Sequence, residues 1–369
     1  MIETTNLLTK ENDEFIMKFQ KRTKNNISEF YFNEGVIYDK TTNNIVCPGL
    51  TKLSEISALP DKFDLIKEHA FFKDVELSNC RQYSMHDGTI IRLFYHNNKW
   101  NKATNRCINA DNSSFGFIES FGKLFDNISK EQLDYTKLNK NYCYSFILQS
   151  PDNRIIEPAS SFSNLIHIET YDKNTNKYIE EDIGIMKPLQ YNYTEIDTLL
   201  ADLNNQDMIT WQFPGFILIN SRNEKLKLEN PQYTYVKDLK GNIVTNTKSW
   251  TLNEGVDPMM YRYLSVMVDR EETEFLYYFP EYTQGMVNMK LSVYNLAKDI
   301  WETYKQRFIM KNKEYPQNPK YKTFLNVLHS LYMSSYMKNS FRVVHQVVKE
   351  APVFKLLDAM NMITVREQK

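Results

Sequence analysis

From residue 28 to about 285, apolar and polar positions alternate in short runs. The stretches "SEFYFNEGVIYD" (28–39), "NNIVCPG" (43–49), "GTIIRLFYHNNKW" (88–100), "KNYCYSFILQS" (140–150), "NLIHIETYD" (164–172), "FPGFILINSRNEKLKL" (213–228) and "TEFLYYFPEY" (273–282) are rich in Ile, Val, Tyr and Phe. Asn-Asn, Asp-Lys and Gly separate them, which predicts strands joined by turns. Helical spacing appears at 61–70 and 114–136, and "TEIDTLLADLN" (194–204) predicts a helix capped by Thr194 with Glu195 in its first turn. After Gly285 the period changes. "VNMKLSVYNLAKDIWETYKQRFIMKNK" repeats apolar residues at three and four, "YPQNP" interrupts, and further helices follow. The pattern predicts an α+β domain over 1–285 and a helical domain over 286–369.

Composition narrows the function classes. The chain has 369 residues, 42% hydrophobic and 25% charged, enough for at least one full core. With 45 Lys and Arg against 46 Asp and Glu, no global field draws it to a polyanion, so any such site must be local. The four cysteines are widely spaced without a C-x-x-C pair, which argues against structural zinc, and no metal site is expected. No segment reads as a signal peptide or a bilayer span. The expected setting is therefore a reducing, cytoplasmic one without a membrane partner.

The candidate chemistry lies in "MHDGTIIR", residues 85–92. Covalent nucleotidyl transfer needs an amine at a strand edge, a sharp backbone turn beside the sugar and phosphate, and a cation for the nucleotide. Lys-x-Asp/Glu-Gly-x-x-x-Arg supplies all three. Here Asp87, Gly88 and Arg92 keep the intervals while Met85 stands at the lysine position. Taken alone, an Asp-Gly before a strand is also an ordinary hairpin turn.

The neighbouring segments extend the pattern. "NEGVIYDKTTNNIVCPGLTK" (33–52) resembles the leader strand pair of covalent ligases, "CYSFILQSPDNRIIEP" (143–158) resembles the Ser-Pro-x-Asn-Arg-Ile-Val segment of the T4 RNA ligase 1 family, and "FPGFILINSRNEKLKL" is similar to that family's Glu-Gly strand followed by Lys-x-Lys. The resemblance covers residues 30–240 and is nearest to divergent RNA-ligase-like proteins of large DNA viruses. It implies a nucleotidyltransferase (ATP-grasp-like ligase) domain of antiparallel sheets with helices, followed by an all-helical C-terminal domain.

The resemblance also implies roles, position by position. The nucleophile falls on Met85, which has no amine; the acidic residue of the third motif falls on Ile147, and the metal-holding glutamate of the fourth on Pro214. Asp87, Gly88 and Arg92 remain, with Phe146 as an aromatic face for a purine, Asn153 and Arg154, and Lys225 and Lys227 as phosphate contacts. Three losses together suggest natural degeneration rather than one engineered change. Binding needs cations, backbone donors and an aromatic face, whereas adenylylation also needs the amine and a carboxylate for the metal. ATP or GTP with Mg is the implied cofactor and RNA the implied partner. A viral RNA-processing or transcription complex, in a virion or viral factory, is the implied setting.

Ordinary structural readings stand beside these. Lys225 and Lys227 alternate onto one strand face, as charges protecting an edge strand would. Lys99, Lys102 and Arg106 around Trp100 form either a basic, aromatic RNA surface or a solvated hairpin. The segment holding Lys305, Arg307, Lys311, Lys313, Lys320 and Lys322 is the most basic, and reads as a solvated helix end or an RNA contact. His86, with no partner at fixed spacing, reads as a variable turn side chain. The sequence thus supports three functions: a ligase-derived binding or assembly subunit without covalent catalysis, an active RNA ligase using a displaced lysine, or a structural protein retaining only the fold.

Overall fold

The computed structural model describes residues 7–20, 35–49, 53–114, 119–151, 154–157, 163–335 and 340–366. The expected strand over 28–34 and the candidate Asn153 lie outside these residues. Two compact units divide the chain, Met1–Lys237 and Asp238–Lys369. The division falls earlier than the change of character at Gly285.

Among the described residues, the first unit carries three sheets. One is an antiparallel run of β1 (Leu7–Glu11), β2 (Phe15–Gln20), β3 (Val36–Asp39) and β4 (Ile45–Cys47) in sequential order. The other two have five strands each, and they interleave along the chain. In order these strands are β5 (Leu53–Ser57), β6 (Arg81–Ser84), β7 (Thr89–His96), β8 (Lys99–Ala103), β9 (Tyr142–Gln149), β10 (Asn164–Asp172), β11 (Lys177–Ile179), β12 (Gln190–Tyr191), β13 (Gly215–Ile219) and β14 (Lys225–Glu229). One sheet runs β11-β10-β9-β7-β8 and the other β12-β6-β13-β14-β5. Every pairing in both is antiparallel except β14 with β5, which is parallel. With helices packed on these sheets, the unit has the expected α+β character.

Strand alternation explains why each five-stranded sheet has one apolar face and one functional face. Tyr144, Phe146 and Leu148 of β9 and Ile91 and Leu93 of β7 pack against Leu124, Phe125 and Ile128 of α1 (Phe121–Gln132). Ser120 caps that helix, accepting the Lys123 N–H at 3.3 Å. On the second sheet, Phe216, Leu218, Leu226 and Leu228 pack against Leu199, Leu200 and Leu203 of α2 (Ile196–Leu203) and against Ile66 of the short helical turn 63–67. Glu195 rather than Thr194 occupies the N-cap of α2. The residues between these core positions point the other way. The β7–β8 hairpin turns on Asn97 and Asn98, with φ of 49° and 58°, the paired positive values a two-residue turn requires.

Some elements were not legible in the alternation. β1 and β2 precede the expected strand region, and α3 (Pro231–Lys240) begins directly after β14. In the second unit, "TEFLYYFPEY" is not a strand. It forms α5 (Glu272–Tyr278), following α4 (Met260–Asp269), because Phe275 and Phe279 repeat at four and are fully buried, while Tyr277 is 75% exposed. The long α6 (Thr283–Tyr304), then α7 (Lys322–Ser335), α8 (Phe341–Lys349) and α9 (Val353–Ala359), complete the helices. A small antiparallel ribbon, Trp250–Leu252 with Ile363–Val365, joins them.

Candidate functional site

The inner faces of the two five-stranded sheets bound a cleft of about 690 Å³ in the first unit. The link from β6 to β7, Met85-His86-Asp87-Gly88, crosses from one sheet to the other and lines the cleft throughout. Ile90, Ile147, Ile217 and Ile219 supply an apolar lining, and Lys225, Lys227 and Lys237 the basic one.

Met85 is 4% exposed, and its N–H donates to Gly215 O at 2.8 Å, so residue 85 is stitched to the start of β13 beside Pro214. Asp87 closes a clasp. Its Oδ2 accepts the N–H groups of Ile156 and Glu157, both at 2.8 Å, and the Tyr233 hydroxyl at 3.3 Å, while its own N–H donates to Glu157 Oε2 at 3.0 Å. Burial and the neighbouring Glu157 outweigh these donors and push the Asp87 carboxyl up to about 6. Gly88 has φ +150°, and a Cβ there would lie 2.5 Å from Ile147 Cγ2 and 2.7 Å from Leu148 O. His86 is not idle: it meets Ser84 Oγ at 3.0 Å and Glu157 at 3.5 Å.

The two strand lysines face the cleft but are already paired. Lys225 is bound to Glu169, with side chains 15% and 12% exposed. Lys227 sits 3.2 Å from Glu55 and 3.0 Å from Glu229, and Lys237 bridges the same carboxylates at 3.0 and 2.8 Å. Burial works against ionised Glu55, yet the two lysines prevail and hold its carboxyl down at about 2. Register explains the pairing: β14 runs parallel to β5 with Lys227 opposite Glu55.

Four expectations are corrected. Arg92 does not reach the cleft; it is 2% exposed and donates to the carbonyls of Gly35 at 2.6 Å and of Pro48 and Thr104 at 2.8 Å. It has the strand parity of Ile90, but one alternation further along β7 those carbonyls cover that face, which makes Arg92 a backbone fastener. Phe146 offers no stacking face: it is fully buried, its ring 5.7 Å from that of Phe125, and Ile147 takes the cleft side. Lys99, Lys102 and Arg106 do not form one surface. Lys99 pairs with Glu14 at 3.0 Å, and Lys102 turns to Asp126 and Asp111 beside α1, while Arg106 lines the cleft. Arg154 folds onto the carbonyls of Ile156 and Glu157 and lies 5.9 Å from the Trp211 ring, bracing the clasp rather than reaching outward.

Sequence reasoning missed Glu55, Glu157, Glu169, His167, Tyr233, Lys187 and Lys237. His167 is 4% exposed, and burial draws its imidazole down to about 4, so it is neutral at pH 7. The bulge in β10 shifts the register so that His167 lies opposite Phe146 but Glu169 opposite Ser145, which turns Glu169 to the cleft side where simple alternation would leave it on the core side. Ile147 faces the cleft and Pro214 carries no side-chain oxygen, and no group of three His, Cys, Asp or Glu side chains placed to hold a metal ion occurs among the described residues. No described helix is long and apolar enough to cross a membrane.

No protein-family model matches the chain. It is 24% identical over 292 residues to an immediate-early protein ICP-46 homolog of Invertebrate iridescent virus 3, covering 74% of this chain and 59% of that protein. It is 23% identical over 195 residues to immediate-early protein ICP-46 of Frog virus 3, covering 45% and 48%. The matches thus span only half to three-fifths of these relatives' own lengths. Among solved structures, an archaeal ATP-dependent RNA ligase superposes with TM-score 0.47 at 11% identity, covering 79% of this chain and 77% of the ligase. An RNA ligase of Naegleria gruberi with pyrophosphate gives TM-score 0.34 at 9% identity, covering 62% and 66%.

Proposed function

We propose that the chain is a ligase-type nucleotidyltransferase fold, placed near the T4 RNA ligase 1 family. On this reading its cleft binds a nucleotide or an RNA end without covalent nucleotidyl transfer, and it serves as a binding or assembly subunit in viral RNA processing or transcription. One observation carries the reading. The β6–β7 link lines a two-sheet cleft together with the Lys-x-Lys strand, and the residue at the nucleophile position is the buried, apolar Met85. A thioether has no N–H to lose and forms no phosphoramidate. The order of motifs supports the same reading, and the viral relatives support the viral setting.

The test uses ATP and GTP labelled at the α-phosphate, incubated with the full chain and Mg and resolved by denaturing electrophoresis. No label should stay with the protein. Met85→Lys should remain unlabelled as well, because Ile147 and Pro214 still lack the carboxylates that hold the metal. Equilibrium titration with fluorescent nucleotides should nevertheless show saturable binding. A covalent adduct on the unaltered chain would overturn the proposal in favour of a displaced lysine.

A further inference from the structure

The basic groups of the cleft differ in whether they are already spent. Arg81 is 3.3 Å from Glu180; Lys225, Lys227 and Lys237 are held by Glu169, Glu55 and Glu229; Arg106 is also engaged. Lys187 lines the same cleft, is exposed, and has no hydrogen-bond or ion-pair partner among the described residues. Its backbone is pinned on both sides. Met186 O accepts the His167 N–H at 2.8 Å, and Leu189 O accepts the Ser84 N–H at 2.8 Å. The first contact ties the segment to β10 of one five-stranded sheet and the second to β6 of the other, so Lys187 is presented between the sheets, beside the Met85–Gly88 link. Its charge reaches the buried His167, which it helps keep neutral after burial itself.

We propose that Lys187 is the anion anchor of the cleft and that it receives a single 5′-monophosphate, on a free nucleotide or at an RNA end, in place of the strand lysines. The inference rests on the reading of the cleft as a nucleotide site. A phosphate recruiting Lys225 must first strip Glu169 of its partner, leaving a largely buried carboxylate uncompensated. Lys187 gives up nothing comparable. Glu180, Glu181 and Asp87 also line the cleft and repel a polyanion, while the isoleucines and Tyr178 accept an apolar, flat group. The ligand this lining fits is therefore a nucleoside with one phosphate, rather than a triphosphate whose charge would need several free cations.

The test is equilibrium binding of AMP and ATP, without metal and at fixed ionic strength, to the full chain and to Lys187→Met, Lys187→Arg and the double variant Lys225→Met/Lys227→Met. AMP should bind the unaltered chain at least as tightly as ATP. Lys187→Met should weaken AMP about tenfold to a hundredfold, the span expected for one lost charge-assisted contact, and Lys187→Arg should restore most of it. Thermal midpoints should not move, since Lys187 is exposed. AMP binding that survives Lys187→Met, or ATP binding much tighter than AMP and abolished only by the double variant, overturns the inference and leaves the nucleotide site standing. Failure of both nucleotides to bind at millimolar concentration overturns both. A 5′-phosphorylated oligoribonucleotide compared with its 5′-hydroxyl form separates the two sources of phosphate; preference for the phosphorylated form assigns the RNA end, and equality with tight AMP binding assigns the free nucleotide.

Discussion

Replacing Asp87 by asparagine tests the clasp that shapes the cleft. The native carboxyl titrates at about 6, against an ordinary value of 3.8, so the folded state holds its proton more tightly than the unfolded chain does. A raised carboxyl pKa contributes stability that is complete below about 4 and is lost as pH rises through about 6. The rise from 3.8 to about 6 is worth about 3 kcal/mol, taking about 1.36 kcal/mol for each tenfold change in proton affinity. The asparagine keeps an acceptor for the Ile156 and Glu157 N–H groups and has no charge to bury. Asp87→Asn should therefore gain on the unaltered protein by about 3 kcal/mol between pH 4 and pH 8, most of it between about 4 and 7. Urea unfolding of both proteins at unit intervals of pH measures the gain, and subtracting the two curves removes the titrating groups that do not interact with Asp87. A difference that stays flat with pH would show that Asp87 ionises as an ordinary carboxyl, and the burial argument would fail.

Other substitutions separate the fold from the cleft. Arg92→Met should lower stability by about 3–5 kcal/mol, because it strands three backbone carbonyls that now share one buried guanidinium; a loss below about 1 kcal/mol in denaturant unfolding would contradict this. Phe146→Ala should cost about 3–5 kcal/mol as a core cavity, with ligand affinity unchanged in the folded fraction, whereas a stacking role would reverse that order. Gly88→Ala should destabilise by about 3 kcal/mol through clash with Ile147 and Leu148 at a positive φ, and a neutral midpoint by circular dichroism would refute the geometry.

Alternation along β9, β13 and β14 was enough to divide core from cleft, because side chains on a strand have only two directions; the α+β character and the placement of Lys225 and Lys227 on one face follow from that period. The absence of an amine at position 85 is equally a property of the sequence, independent of any packing. What the chain order could not supply is partnership. Lys227 meets Glu55 only because β14 lies parallel to β5, and Lys225 meets Glu169 only because two separate sheets face each other. Arg92 and Phe146 went astray for the same reason: residue type suggests a role, but the surroundings of that side of the sheet decide whether a group touches ligand or core. The helix at Glu272–Tyr278 shows the converse, since a short aromatic run is compatible with either period until its neighbours bury Phe275 and Phe279. Local periodicity thus determines which residues share a face, whereas the charge balance of the cleft and the freedom of Lys187 arise from long-range contacts that only the folded chain brings within reach.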